Sequence, residues 1–87
     1  MKKIEPTVFI ITSTYNQLED TRLLLNAVRK QMYRNLVMII VDDGSEDDTR
    51  KFILENYPEF TYIEGDGNLW WTGSIFLGVS NALKRSN

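Results

Sequence analysis

The sequence contains no cysteine and no histidine. These absences exclude disulfides, thiolate metal sites, imidazole bases and Ser-His nucleophiles within these residues. The chain also lacks a large excess of one sign of charge, since 10 basic and 12 acidic side chains leave a net charge of −2. The chain therefore lacks the strongly basic balance typical of nucleic-acid-binding domains, and no nucleic-acid partner is expected.

Long apolar runs are missing as well. The longest, residues 36–41, has the length of a strand and cannot cross a bilayer, and no signal-peptide run follows the N-terminal Met-Lys-Lys. We therefore expect a cytoplasmic protein, although peripheral docking to a membrane stays open. Eighty-seven residues, 43% of them hydrophobic, predict one small domain over residues 1–87 with a modest core.

Short apolar runs alternate with segments of helical periodicity. Strands are predicted at 7–12, 36–41 and 60–64, and helices at 17–32, 45–57 and from 74 onward. The first two strands are apolar enough to be buried on both faces. Capping boxes are predicted at the first two helices, Asn16 with Glu19 and Ser45 with Asp48. Strand-helix units with short loops predict an α/β fold, with about three parallel strands alternating with three helices.

In such a sheet, ligands bind beyond the carboxyl ends of the strands. Three loops lie there, at residues 13–16, 42–45 and 65–73, and they hold the unusual residues of the sequence. We interpret this convergence as a candidate site.

The acidic turn after the second strand carries the adjacent carboxylates Asp42 and Asp43. They are costly to bury unless they accept hydrogen bonds or meet a cation. Because side chains alternate at a strand end, one can hold a neighbouring loop while the other accepts from the imide of uracil or a ribose hydroxyl. A plain turn with a helix cap is the alternative, but it does not account for both aspartates. The acidic run 46–48 is interpreted as a solvated first helical turn and not as a metal site.

The other two loops leave alternatives open. Residues 13–16 could line a nucleotide pocket or form an ordinary strand-to-helix loop. Of the adjacent Trp70 and Trp71, one is expected to fill the core, and the other to form a ligand wall or a subunit contact. The glycines around them do not form a Walker loop, because the Gly-Lys-Ser/Thr sequence is absent.

Three blocks in this order resemble the opening of the inverting family-2 glycosyltransferases with a GT-A fold. They are residues 8–16, residues 40–45 with Asp47 and Thr49, and residues 67–73 with Gly78. The third block is similar to versions in rhamnosyltransferases and related cell-envelope sugar transferases, although Trp70 stands where the family often has glycine. The resemblance implies a partial, Rossmann-like GT-A domain with a three-layer αβα architecture.

It also implies site residues. Asp43 would contact the base, commonly uracil, with Asp42 supporting it, and Ser13 and Tyr15 would be wall residues near the base and ribose. The whole set implied to bind a UDP- or dTDP-sugar is Ser13, Thr14, Tyr15, Asn16, Asp42, Asp43, Gly44, Asn68 and Gly73.

The family's Asp-x-Asp motif for Mn²⁺ or Mg²⁺ and its carboxylate base have no counterpart after Gly73. We therefore expect a truncated domain with no catalytic residue and no metal site, inactive alone, and an open edge on the first strand through which copies associate. Two alternatives remain: a receiver-like α/β module that uses Asp42 and Asp43 to hold Mg²⁺, and a purely structural fragment whose tryptophans form an oligomer interface.

Overall fold

The computed structural model describes residues 6–31 and 33–85. Its strands are β1 (Val8–Thr14), β2 (Leu36–Asp42) and β3 (Thr61–Glu64), and its helices are α1 (Leu18–Arg29), α2 (Thr49–Asn56) and α3 (Trp70–Arg85). The strands form one parallel sheet in the order β1-β2-β3. The predicted alternation of three parallel strands with three helices is confirmed.

The central strand β2 separates two apolar layers. Met38 and Ile40 pack with residues of α1 and α2 in one cluster, whereas Ile39 and Val41 pack with Ala82 of α3 in the other. All four β2 side chains are at most 1% exposed. Because successive residues of a strand face opposite sides, a continuous apolar run is what a sheet covered on both faces requires. Two helices therefore cover one face of the sheet and α3 covers the other.

The first strand is less buried than β2. Residues 9–13 of β1 are only half-buried and Val8 is 41% exposed. No strand among the described residues pairs with the side of β1 that faces away from β2. Ile10 packs against one core cluster and Phe9 and Ile11 against the other. Strand β1 is therefore covered on both faces, as expected, but its side chains are only half-buried because it lies at the edge of the sheet.

The starts of all three helices also differ from the sequence predictions. Neither predicted capping box forms: Gln17 and Asp48 are the N-cap residues of α1 and α2, and neither side chain caps its helix. Glu19 instead pairs with Arg22. Helix α1 ends at Arg29 rather than near Met32, which lies outside the described residues, and α3 begins at Trp70 rather than at Ser74.

None of the helices in the described part of the chain combines the length and the apolar character that a membrane crossing requires.

The open side of β1 leads to a first prediction. An unpaired strand edge presents N–H and C=O groups that a second copy can pair with. We expect Val8→Lys to reduce self-association of this chain, because lysine places a charge on that edge. Light scattering over a concentration series measures the self-association.

A matched control lies on α3. Val79 is 40% exposed, close to the value for Val8, so Val79→Lys adds the same charge at an equally exposed valine. A monomeric wild-type chain, or association lost with Val79→Lys but not with Val8→Lys, contradicts the prediction.

Candidate functional site

The carboxyl ends of the three strands lie in one row. The register pairs Thr14 with Asp42 and Asp42 with Glu64, so the loops after β1, β2 and β3 leave the sheet side by side. This is the edge at which parallel sheets bind ligands.

Asp42 ties the end of β2 to its surroundings. Its side chain is buried, with Oδ1 accepting from the N–H of Ser45 at 2.9 Å and Oδ2 accepting from the hydroxyl of Tyr62 at 2.7 Å. Burial, and then the neighbouring Asp42 carboxylate, raise the pKa of Tyr62, so its hydroxyl remains a donor at neutral pH. Asp42 thus fixes the acidic turn and β3 and does not line the cleft described below.

Asp43 holds the loop between β3 and α3. Its Oδ1 accepts from the N–H groups of Gly67 at 3.0 Å and Leu69 at 3.1 Å, and its Oδ2 accepts from the N–H of Trp70 at 2.8 Å. A carboxylate offers about four acceptor positions, so these bonds leave about one, on Oδ2. The same three N–H groups are consequently engaged and do not form a free cradle for a phosphate.

Asn16 joins the first two loops. Its backbone N–H donates to Oγ of Ser45 at 2.9 Å, and its Oδ1 accepts from the N–H groups of Glu46 at 2.7 Å and Asp47 at 3.3 Å. With φ of 50°, Asn16 is in the left-handed region, which asparagine tolerates better than most residues. Its amide oxygen therefore binds the loop after β2 instead of capping α1.

The second and third loops touch backbone to backbone. Gly44 has φ of 81° and Gly67 has φ of 91°, and a Cβ added to Gly44 would lie 3.1 Å from both Cα and N of Gly67. A side chain at Gly44 would be strained and crowded. Glycine here allows the loop after β3 to cross over the end of β2, where Asp43 binds it.

The crossing brings both tryptophans to the loop after β1. Trp70 and Trp71 form the first turn of α3 and are 76% and 70% exposed. The expectation that one of them fills the core is therefore wrong. Trp70 has φ of 58°, a left-handed conformation that is a genuine outlier for a bulky residue.

These elements enclose a cleft of about 370 Å³. It is lined by Ser13, Thr14, Tyr15, Gln17, Asp43, Gly67, Trp70 and Trp71. The structure thus brings Ser13, Thr14, Tyr15 and Asp43 of the predicted set to one cleft.

The other predicted residues do not line this cleft. Asp42, Gly44 and Asn16 instead hold the loops together through the contacts described above. The N–H of Asn68 donates to Asp66 at 2.8 Å, and the N–H of Gly73 donates to the carbonyl of Leu69 at 3.0 Å. Whether any of the nine contacts a nucleotide stays a prediction.

Sequence reasoning left Gln17, Gly67 and the two tryptophans out of the predicted set. The signal for the tryptophans was their adjacency in a glycine-bounded segment at a strand's carboxyl end. No comparable signal marked Gln17.

The electrostatics of the cleft limit what it can hold. Asp43 is the one carboxylate among its lining residues, and none of them is lysine or arginine. The described residues contain no group of three side chains able to hold a metal ion, and the oxygens of Asp42 and Asp43 already accept from N–H and O–H donors. This part of the chain does not fit a divalent cation. A cleft that combines aromatic side chains with one carboxylate acceptor suits a flat ring that donates hydrogen bonds.

Comparison with known proteins agrees with this architecture. The model of glycosyl transferase family 2 matches residues 9–85. Two proteins of Mycobacterium tuberculosis, from strains CDC 1551 and H37Rv, are described as uncharacterized glycosyltransferases. Each is 34% identical to this chain over 78 residues. The matched residues cover 88% of this chain and 30% of each relative. Another uncharacterized glycosyltransferase, from Rickettsia prowazekii, is 33% identical over 58 residues, covering 67% of this chain and 18% of that protein. No solved structure matches the chain.

The chain therefore belongs to glycosyl transferase family 2. It spans 30% of the length of its mycobacterial relatives. Family membership disfavours the receiver-like alternative.

Proposed function

We propose that this chain is the nucleotide-binding part of a glycosyltransferase and that the cleft holds the base and ribose of a nucleotide-sugar donor. The observation that carries the proposal is the position of Asp43, which lines the cleft with about one acceptor position left on Oδ2. Tyr15, 50% exposed, borders the same cleft and offers a ring and a hydroxyl. Family membership supports a nucleotide-sugar donor in general.

Asp43 makes the proposed site selective between bases. An ionised carboxylate accepts hydrogen bonds and cannot donate them. Uracil, thymine and guanine present a ring N–H beside a carbonyl, whereas the corresponding ring nitrogens of cytosine and adenine are acceptors. Cytosine and adenine can donate to a carboxylate only through the exocyclic amino group, beside a ring nitrogen that repels it. A carboxylate that faces the ring nitrogen therefore favours the first group over the second.

The test is calorimetry of the chain with five nucleoside diphosphates. We expect UDP, dTDP and GDP to bind weakly but about tenfold or more tightly than CDP and ADP, since a hydrogen bond to a charged group contributes about 1.5–3 kcal/mol. Binding of CDP or ADP as tight as that of UDP would remove Asp43 from the base-contact role. Binding of none of the five would contradict the proposed function.

The activity of a whole enzyme is the wider part of the proposal. It would transfer a hexose-type sugar from a UDP- or dTDP-linked donor to an acceptor hydroxyl with inversion, in cell-envelope polysaccharide synthesis. Mn²⁺ or Mg²⁺ would be held by residues outside this chain, since the described ones do not fit it. We propose further that the 87 residues alone do not catalyse transfer, and that the enzyme works in the cytoplasm, where peripheral association with a membrane would bring it to its acceptor.

A further inference from the structure

We propose that Trp70 is a specificity-determining residue of the cleft, because its indole ring stacks on the nucleobase that Asp43 holds. The inference rests on the proposed function, that the cleft binds a nucleotide.

The backbone of Trp70 has a conformation that is unusual for its side chain. Its φ of 58° is left-handed, a conformation that glycine adopts without a steric penalty and a large side chain does not. Residues held in such conformations cluster at functional sites, so an observed outlier motivates a functional hypothesis. The chain thus carries tryptophan, the largest side chain, at a backbone position that glycine would adopt without strain.

The indole ring of Trp70 does not fill the core. It is 76% exposed, so it contributes little to the core, in contrast to Leu69 and Leu77, which pack against the cluster beneath α3. Core packing therefore does not account for the indole. The same ring borders the cleft.

Trp70 lies next to the proposed hydrogen-bond acceptor. The N–H of Trp70 lies 2.8 Å from Oδ2 of Asp43, the oxygen with an unused acceptor position. A flat base whose N–H reaches Oδ2 is consequently beside the first residue of α3. Tyr15, on the loop after β1, borders the cleft from another element. Base–aromatic stacking then adds to the hydrogen bond, and its strength depends on the base having a planar aromatic ring.

The test separates stacking from hydrogen bonding. In 5,6-dihydro-UDP the base keeps its imide N–H but loses its planar aromatic ring. By calorimetry we expect the wild-type chain to bind UDP about tenfold or more tightly than dihydro-UDP, in line with the strength of base–aromatic stacking. In Trp70→Gly we expect UDP to bind about tenfold or more weakly, and the preference over dihydro-UDP to shrink to about twofold or less.

Trp70→Gly is suited to this test because glycine relieves the backbone strain, so the variant should fold at least as stably as the wild type. Trp71→Ala is the comparison variant, since Trp71 borders the same cleft and is 70% exposed; it should weaken UDP binding less than Trp70→Gly and leave the preference over dihydro-UDP in place. Trp70→Phe should retain most of the affinity and most of the preference for the planar base.

The outcomes separate this inference from the proposed function. If the wild type binds UDP and Trp70→Gly binds it within about threefold, or keeps the full preference over dihydro-UDP, the role of Trp70 is refuted while the nucleotide site stands. A larger loss for Trp71→Ala than for Trp70→Gly also overturns the assignment to Trp70. A wild-type chain that binds no nucleotide refutes the proposed function itself.

Discussion

Replacing Asp43 with alanine is expected to abolish measurable UDP binding and to release the loop between β3 and α3. The carboxylate of Asp43 is the acceptor for the N–H groups of Gly67, Leu69 and Trp70. Losing it costs about 1–3 kcal/mol for each donor left buried and unsatisfied, and less where water replaces the bond. We therefore expect a fall of about 2–4 kcal/mol in the free energy of unfolding, measured by urea denaturation.

Two further variants distinguish the loss of the bonds from the loss of charge. Asp43→Asn keeps the shape but has one acceptor oxygen fewer, so it should lose UDP binding with a smaller change in stability. Glu46→Gln neutralises an exposed carboxylate of the same turn and should match the wild type in both.

Amide hydrogen exchange checks the cause of the Asp43 effect directly. In both Asp43 variants the amides of Gly67, Leu69 and Trp70 should exchange faster than in the wild type. Unchanged protection at these amides would show that the carboxylate does not hold the loop.

The second large effect is expected at Gly78, where α3 crosses β1. A Cβ at this position would lie 2.4 Å from Cγ2 of Ile11 and 3.4 Å from Cγ2 of Val41. Because a β-branched side chain is stiff at χ1, Cγ2 of Ile11 does not move aside easily, and the helix or the strand has to shift. Gly78→Ala should destabilise the chain by about 1–3 kcal/mol or somewhat more, in spite of the higher helix propensity of alanine. Urea denaturation measures this change.

Gly73→Ala and Ile11→Leu serve as controls for this effect. A Cβ at Gly73, in the same helix, approaches only Leu69, at 3.3 Å, so Gly73→Ala tests helix propensity with much less crowding than Gly78→Ala. Leucine has no Cγ2 on its Cβ, so Ile11→Leu should restore part of the stability lost in Gly78→Ala. If Gly78→Ala is as stable as Gly73→Ala, the close approach of α3 to β1 is not required.

Much of the fold could be predicted from the sequence because it follows from patterns within single elements. The unbroken apolar run 36–41 predicted a strand covered on both faces, and the order of strands and helices predicted a parallel sheet. The edge position of β1 limits this reasoning, because a nearly continuous apolar run is only half-buried there. Burial depends on neighbouring elements, which a local pattern does not reveal.

The same distinction explains the errors at the loops. Asn16 and Ser45 have the residue types of helix caps, but they bond to each other's loops across 29 positions of sequence. Asp43 was predicted at the site from its place after a strand, whereas its three backbone donors come from a segment more than 20 residues further along the chain. A polar side chain at a strand's end could accept hydrogen bonds from several different N–H groups. Which of them lies close enough depends on the folded positions of distant loops, which the sequence pattern does not reveal.

The tryptophans at the cleft have a consequence for spectroscopy. The chain has only two, Trp70 and Trp71, and both are largely exposed beside the Asp43-bound loop, whereas the buried aromatic ring of the core is Tyr57. Intrinsic tryptophan fluorescence therefore reports on the cleft and not on the core. A shift in emission during denaturation would record release of this loop, while circular dichroism would record the sheet and helices. If the fluorescence transition has a lower midpoint than the circular dichroism transition, the loop is released before the sheet and helices unfold.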